Sequence, residues 1–409
     1  MAVAVAAAGL SAAWGAAAGE RPVVVGYLAA WHATPARIAA LPAGRLTHLV
    51  YAFGEVTAAG RAAVADPCRD LGRCGEVRGA GGGEGGNVAA LAALRARHPH
   101  LEILIALGGW TGSAHFSDAA ATAAGRERLA ASAVATFLEP HGDVFDGVDL
   151  DWEYPVEGGL ATNGARPEDR ENFTALVAAF RRALDDWGAA NDRRPRLTIA
   201  TTASPWLMRN LEVEALAGLV DWIGVMTYDY AVGAPATGFN APLFAAAPEA
   251  PSVAATIDAY LAAGAPPARL VLGIPFYARA FEGVTPGPAG DGLGQPGAPA
   301  AAPWGPDTLD WRTLAAADPE ARGFERHWHA VARVPWLHHP ERGLWVTYDD
   351  ARSVRHKAAY AALRGLAGVM IWELGGDDGR LIRAVADGLA PCLSRRRGRS
   401  GGRRRRRRR

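Results

Sequence analysis

The strongest constraint on the fold is a repeated alternation of apolar runs with helical patterns. Eight mostly apolar runs are spaced along the chain, at 23–31, 46–56, 101–110, 146–155, 197–205, 220–230, 270–281 and 365–376. Such runs are typical of strands buried on both faces of a parallel sheet. Between several of them, apolar residues recur at helical spacing, at 88–98, 120–138, 167–187 and 252–264.

Eight buried strands that alternate with helices favour the α/β class and, within it, a closed (β/α)8 TIM barrel. The active site of such a barrel lies at the carboxyl ends of its strands. A doubly wound open sheet is the alternative. It is disfavoured because no Gly-rich phosphate-binding turn follows the first strand, and GGGEGG at 81–86 follows a loop.

A long segment separates the seventh run from the eighth. It begins with a Pro/Gly/Ala-rich stretch at 283–303 and continues as polar sequence rich in tryptophan. We expect an insertion domain at 282–345 that walls one side of a cleft on the catalytic face. The barrel itself is then formed by residues 22–281 and 346–391.

The two ends of the chain have their own compositions. Residues 1–20 form an Ala-rich apolar run ending in small residues, which predicts a secretory signal peptide or, because no basic residue precedes Arg21, an Ala-rich extension. Residues 394–409 carry 11 arginines and no acidic residue, which predicts a disordered tail. We expect a secreted, extracellular protein, and no later run is long enough to span a membrane.

Charge and cysteine content narrow the choice of partners and compartment. The formal net charge of +1 includes the 11 tail arginines, so the rest of the chain carries −10. An acidic body argues against a nucleic-acid partner. Separately, we expect the protein to be a monomer. Cys68 and Cys74 are close enough in one predicted loop to form a disulfide in an exported protein, with two free thiols as the equal alternative.

Three acidic residues alternate with apolar residues in the fourth run, DGVDLDWEYP. On a strand, Asp149, Asp151 and Glu153 share one face at intervals of about 6.6 Å. Neighbouring negative charge and partial burial are expected to raise the pKa of at least one carboxyl group. Glu153, the last and longest, is the candidate general acid. The alternative, a solvated strand end or a calcium site, is disfavoured by the dense apolar flanks.

The strand ends also carry aromatic and polar residues that suit a sugar-binding site. Flat rings stack on the apolar faces of pyranoses, while polar groups bind the hydroxyls. Each aromatic alone is more often a core residue, so the prediction depends on their coincidence at strand ends. The candidates are Tyr27, Trp31, Phe53, Trp110, Met226, Tyr228, Asp229, Tyr277, Arg279 and Trp372.

These residues resemble the motifs of a known family. DGVDLDWEYP contains the Asp-x-x-Asp-x-Asp-x-Glu signature of glycoside hydrolase family 18, and the chain is similar to the bacterial-type chitinases of that family, which have an α+β insertion domain. Four other segments of the chain resemble conserved blocks of the family, in the same order. They are LGGW at 107–110, MTYDY at 226–230, YARAF at 277–281 and WELGGDD at 372–378. The resemblance covers about residues 22–391.

The resemblance implies hydrolysis of β-1,4 linkages in chitin with retention and without a protein nucleophile. Glu153 would protonate the glycosidic oxygen while the 2-acetamido carbonyl of the substrate attacks the anomeric carbon and forms an oxazolinium. Asp151 would orient the acetamido N–H, with Asp149 behind it tuning both protonation states. Tyr228 would hydrogen-bond the acetamido group.

The remaining candidates would bind the sugar. Asp229 and Arg279 would contact hydroxyls, Trp372 would form the floor beneath the cleaved unit, and Trp31 and Trp110 would act as stacking platforms. Tyr27, Phe53, Met226 and Tyr277 complete the predicted substrate-binding set. The expected partner is chitin or chito-oligosaccharides, and the resemblance implies no metal or organic cofactor.

Two other functions remain open at this point. One is a non-catalytic, lectin-like chitin-binding relative, which the presence of Glu153 disfavours. The other is an endo-β-N-acetylglucosaminidase that acts on N-glycans, which the predicted insertion and aromatic cleft disfavour.

The predicted insertion contains four histidines, His327, His329, His338 and His339. They lack acids at a spacing that suits metal ligands, so we predict no metal site.

Overall fold

The structure is a computed structural model that describes residues 21–74, 85–300 and 309–401. The predicted signal peptide, 1–20, and the end of the arginine-rich segment, 402–409, lie outside the described residues.

The chain alternates strands with helices. The strands are β1 Val23–Ala29, β2 His48–Val56, β3 Ala62–Ala63, β4 Glu102–Gly108, β5 Gly147–Asp151, β6 Arg196–Thr202, β7 Trp222–Met226, β8 Leu270–Pro275, β9 Arg279–Glu282, β10 Ala298–Ala300, β11 Glu325–His329, β12 Val334–His339, β13 Leu344–Thr347 and β14 Gly368–Trp372. The helices are α1 Pro35–Ala39, α2 Pro67–Leu71, α3 Gly86–Arg97, α4 Phe116–Ala120, α5 Ala123–Ala133, α6 Glu139–His141, α7 Asp169–Ala190, α8 Pro205–Met208, α9 Val213–Leu219, α10 Val253–Ala262, α11 Trp311–Ala316, α12 Ala351–Leu363 and α13 Arg380–Gly401. A π-helical turn, Val134–Leu138, joins α5 to α6.

Eight parallel strands close into a barrel in the circular order β1, β2, β4, β5, β6, β7, β8, β14. The predicted (β/α)8 barrel is therefore confirmed, and the open-sheet alternative is excluded. Leu49 and Ile199 belong to the core between the strands and the helices, whereas Val50 and Ala200 belong to the cluster inside the barrel. Because both faces are covered, the strands are mostly apolar, which explains the eight runs in the sequence.

The insertion is a five-stranded antiparallel sheet in the order β10, β9, β13, β12, β11. One apolar face packs around Trp336 and Trp345, and the other packs with Leu314 of α11, so the domain is α+β. The seventh apolar run is divided between two sheets. Barrel strand β8 ends at Pro275, and Arg279 begins β9 of the insertion sheet, three residues before the boundary that the sequence predicts.

Buried polar residues fix the return of the chain from the insertion to the barrel. Asp350 caps α12 in a reciprocal capping box with Ser353 and also pairs with Arg326 of β11. Beside it, the fully buried Lys357 ammonium lies 2.5 Å from Asp349 Oδ1. Burial raises the pKa of Asp349 and lowers the pKa of Lys357, so desolvation offsets part of the attraction between the two charges.

Three further observations concern the cysteines, the last helix and the apolar length of the helices. Cys68 and Cys74 form a disulfide, with their Cα atoms 4.2 Å apart. Helix α13 continues to Gly401, into a segment that the sequence predicts to be disordered. Among the described helices, none is both long and apolar enough to cross a membrane.

Candidate active site

The acidic row lies at the carboxyl end of β5, inside the mouth of the barrel. Asp149 and Asp151 alternate with the outward-packed Val148 and Leu150, so both aspartates point to the interior. The strand ends at Asp151, and half-buried Glu153 follows it rather than continuing the strand as predicted. The row therefore runs from the barrel interior to the open face.

Two side chains from neighbouring loops hold the backbone of Glu153 in place. Its N–H donates to Ser113 Oγ at 2.9 Å, and its carbonyl accepts from Asn163 Nδ2 at 3.0 Å. Sequence reasoning missed both residues, because each lies in a loop without a periodic pattern. Gly108 permits the close approach of β4, since a Cβ atom there would lie 2.2 Å from the Asp151 carbonyl oxygen.

Asp149 is the innermost carboxylate of the row, and both of its oxygens accept hydrogen bonds. It accepts hydrogen bonds from Tyr27 at 2.9 Å and from Thr198 at 2.5 Å. Burial outweighs these two hydrogen bonds and raises the pKa of Asp149 to about 6. Thr198 was not predicted, although a polar residue in the otherwise apolar β6, paired in register with Asp149, is a signal for it.

Asp151 is buried, but its carboxyl group is not fully hydrogen-bonded by the described residues. It is 4% exposed, and its Oδ1 atom has no hydrogen-bond partner within the described part of the chain. Burial, and then the charges of Glu153 and Asp149, raise the pKa of Asp151 well above its ordinary value. An unpaired buried acceptor between two other acids requires an explanation, and a ligand that supplies a donor provides one.

Glu153 has the electrostatic surroundings of a general acid. Burial is the main cause that raises its pKa to about 7; a hydrogen bond with Tyr154 opposes the shift, and the negative charge of Asp229 adds to it. The carboxyl group therefore stays protonated up to near-neutral pH, at the open end of the row.

Tyr228 and Asp229 lie just beyond β7, two strands along the barrel from the acidic row on β5. Asp229 adopts a left-handed conformation with φ of 63°, and its Oδ1 atom accepts from Tyr277 at 2.6 Å and from Arg279 Nη2 at 2.8 Å. Burial and the nearby acids raise the pKa of Tyr228 well above its ordinary value, so its phenol is a neutral hydrogen-bond donor. The structure thus brings these four predicted residues together.

Aromatic side chains line the site from the side of β1, β2 and β14. The Trp372 ring lies 5.8 Å from the rings of Tyr27 and Phe53 and 6.2 Å from that of Trp31. Trp31 is 56% exposed, and Trp110, which follows β4, is 47% exposed. Tyr27 and Met226 are buried deeper, at 5% and 8% exposure.

Glu373 fixes the end of β14 against the end of β1 and was missed by sequence reasoning. Its carboxylate accepts from the N–H of Gly375 at 2.8 Å and lies 3.1 Å from His32 Nδ1. Since it directly follows Trp372, these contacts help to fix the position of Trp372. In the described part of the chain, no three His, Cys, Asp or Glu side chains are grouped to hold a metal ion.

Comparisons with known proteins agree with this geometry. Residues 23–377 match the model of "Glycosyl hydrolases family 18". The chain is 42% identical to Chitinase A1 of Niallia circulans over 73% of its own length and 44% of the relative, and 34% identical to Probable chitinase 2 of Drosophila melanogaster over 81% and 66%. The solved structure of chitinase ChiA74 from Bacillus thuringiensis superposes with a TM-score of 0.82 and 31% identity, covering 91% of this chain and 70% of that one.

The two curated relatives are longer proteins, and the chain spans less than two thirds of each. The family model nevertheless covers the whole barrel up to the residues that follow Trp372, including the acidic row. The chain therefore belongs to glycosyl hydrolase family 18.

Proposed function

We propose that this protein is a chitinase, which hydrolyses the β-1,4 linkages between N-acetylglucosamine units with retention of configuration. The observation that carries the proposal is a pair of acids. Glu153 has its pKa raised to about 7, and Asp151 has a buried oxygen with no hydrogen-bond partner among the described residues. The three relatives named above are each called a chitinase, which supports the same substrate.

Glu153 acts first as the acid. It donates its proton to the glycosidic oxygen as the bond from that oxygen to the anomeric carbon breaks. The acetamido carbonyl oxygen of the sugar that contains this anomeric carbon attacks it and forms an oxazolinium. Water then attacks the anomeric carbon, which opens the oxazolinium ring. The water gives a proton to the Glu153 carboxylate, so that Glu153 is again protonated.

The nearby carboxylates are poorly suited to act as the nucleophile, which favours attack by the substrate. Asp149 is buried and engaged by Tyr27 and Thr198. Asp229 is held by Arg279 and Tyr277. Asp151 is buried below Glu153, and its Oδ1 atom, which no described residue hydrogen-bonds, suits a hydrogen bond from the acetamido N–H. That bond would align the acetamido carbonyl and offset the positive charge of the oxazolinium.

We assign the predicted binding residues by their exposure and partners. Trp372 forms the floor, Phe53 and Trp31 extend it, and Trp110 offers a second stacking surface. Tyr228 donates to the acetamido group, and Asp229 with Arg279 binds hydroxyls. Tyr27 donates to Asp149, so we infer that it positions the acidic row instead of contacting sugar.

A test on soluble oligosaccharides separates this function from the alternatives. We expect cleavage of chitohexaose and no cleavage of cellohexaose, which has the same linkage but no acetamido nucleophile. Binding of chitohexaose without turnover would indicate the lectin-like alternative. Release of N-glycans from a glycoprotein, with chitohexaose left intact, would indicate the endo-β-N-acetylglucosaminidase alternative.

The pKa of Glu153 predicts the alkaline side of the pH profile. Because the protonated acid is the active form, kcat/KM should be maintained below about pH 7 and should fall about tenfold per pH unit above it. Asp229→Asn removes a charge that raises this pKa, so the decline should begin at lower pH. Profiles of kcat/KM against pH on an aryl chitobioside measure the shift.

The matched control for this shift is Asp258→Asn, which removes an exposed carboxylate paired with Arg364 on the outside of the barrel. Its profile should coincide with that of the wild type. A decline that stays in place or moves to higher pH in Asp229→Asn would contradict the assignment of Glu153 as the titrating acid.

We further propose that the protein is exported and acts outside the cell. The Cys68–Cys74 disulfide supports this, because such bonds persist in oxidising compartments. Polymeric chitin, a natural substrate for the proposed activity, also requires an enzyme that reaches it outside the cell.

A further inference from the structure

In the part of the chain that the structure describes, the exposed tryptophans lie at the mouth of the barrel. Among the described tryptophans, only Trp31, Trp110 and Trp206 are exposed, and Trp206 is the most exposed of them at 58%. All three come shortly after barrel strands, namely β1, β4 and β6. The three exposed rings therefore share the face at the carboxyl ends of the strands, where a flat ring can stack on a sugar. Sequence reasoning selected the first two and passed over Trp206.

Trp206 is held as a one-sided platform. The Arg209 guanidinium carbon lies 3.2 Å from the centre of the indole ring, which is a cation–π contact on one face. Arg209 is in turn bound to Glu157 Oε1 at 2.8 Å, and Asn210 donates to the same oxygen at 3.1 Å. With one face covered and the side chain still 58% exposed, the indole offers its other face to a ligand.

The platform is connected to the acid by a single loop. Glu157 lies four residues after Glu153, in the loop that leads from β5 to α7, and Asn163 of this loop binds the Glu153 carbonyl. The loop packs closely on α8, since a Cβ atom at Gly158 would lie 2.5 Å from the Leu207 side chain. The orientation of Trp206 is therefore linked to the loop that begins at the general acid.

The circular strand order gives the direction in which the platform lies. Counted around the barrel, β6 is four strands from β1 in either direction, so Trp206 lies across the mouth from Trp31. Trp31, Phe53 and Trp372 cluster on the side of β1, β2 and β14, whereas β5, which leads to Glu153, is next to β6. A linear glycan bound on that cluster passes Glu153 before it reaches the β6 side.

We infer that Trp206 is a stacking platform for an N-acetylglucosamine unit on the leaving-group side of the scissile bond, beyond Trp110. This inference rests on the proposed chitinase function and adds a specificity determinant to it. Units held by Trp206 contribute binding energy only when the substrate extends past Glu153, so the platform selects long oligosaccharides over short ones.

Comparing a long substrate with a short one tests the inference. An aryl chitobioside has no sugar beyond the scissile bond, whereas chitohexaose does. We expect Trp206→Ala to lower the ratio of kcat/KM for chitohexaose to kcat/KM for the chitobioside by about two- to tenfold. Trp206→Phe should retain part of the ratio, because a smaller ring still stacks. In a Glu153→Gln background, Trp206→Ala should weaken chitohexaose binding by a similar factor.

Leu363→Ala is the control, since it removes a 73% exposed apolar side chain at the end of α12, and its ratio should equal that of the wild type. An unchanged ratio in Trp206→Ala, equal losses on both substrates, or a defect confined to insoluble chitin would each overturn the platform while leaving the chitinase function intact. If the wild type cleaves neither substrate, the proposed function fails, and the absence of chitohexaose binding to Glu153→Gln would overturn the platform with it.

Discussion

Glu153→Gln is expected to lower kcat on chitohexaose by about 10²- to 10⁴-fold, which is the usual contribution of a positioned general acid. The amide keeps the shape of the side chain but has no acidic proton to give to the leaving oxygen. Binding should persist, because the aromatic floor around Trp372 and the Asp229–Arg279 pair remain. Steady-state kinetics together with calorimetric titration of chitohexaose separate the two effects.

Glu171→Gln is the matched control, since it makes the same chemical change at an exposed position of α7. Its kcat should equal that of the wild type. A loss of less than tenfold in Glu153→Gln, or an equal loss in the control, would rule out Glu153 as the proton donor.

Lys357→Met is expected to reduce the free energy of unfolding by about 3–5 kcal/mol, because it leaves the Asp349 carboxylate buried without its counter-ion. Lys357 is fully buried in the middle of α12, the helix that leads to the last barrel strand, so the effect should appear as a loss of global stability. Urea denaturation followed by circular dichroism at neutral pH measures it.

Two further variants show whether the unpaired charge is the cause. The double variant Lys357→Met with Asp349→Leu should recover most of the loss, since apolar replacements of a buried ion pair are often neutral. Arg364→Met removes a cation from the partly exposed Asp258 pair just after the same helix and should cost at most about 1 kcal/mol. A loss in Lys357→Met no larger than in Arg364→Met would contradict the argument.

The barrel is predictable from the sequence because strands covered on both faces are mostly apolar. The same property hides where each strand ends. The run 270–281 is apolar across β8 and β9, although the chain leaves the barrel after Pro275 and joins the insertion sheet at Arg279. Hydrophobic periodicity describes burial, and residues in two different sheets can be equally buried.

The acidic row is predictable because carboxylates inside an apolar run need a functional reason. The contacts that hold this row in place are harder to predict from the sequence. Ser113 lies 40 residues from Glu153 in sequence and Asn163 lies 10 residues from it, and neither follows a periodic pattern. Trp206 was overlooked for a related reason, since the four-residue helix α8 is too short to show helical spacing. Residues placed by loops become visible only when the tertiary structure is known.

The closure of the barrel has a consequence for biosynthesis. The pairing of β14 with β1 joins the last barrel strand to the first, and the Ala29 N–H contacts the Glu373 carboxylate across 344 residues of sequence. While the chain is being synthesised from its amino end, β1 therefore keeps one edge without its partner until the insertion and α12 have been made. Exposed strand edges are prone to wrong pairing, and contacts this distant in sequence form late. Because Trp31 and Trp372 lie on the two sides of this seam, their contact forms only when the nascent chain closes its barrel.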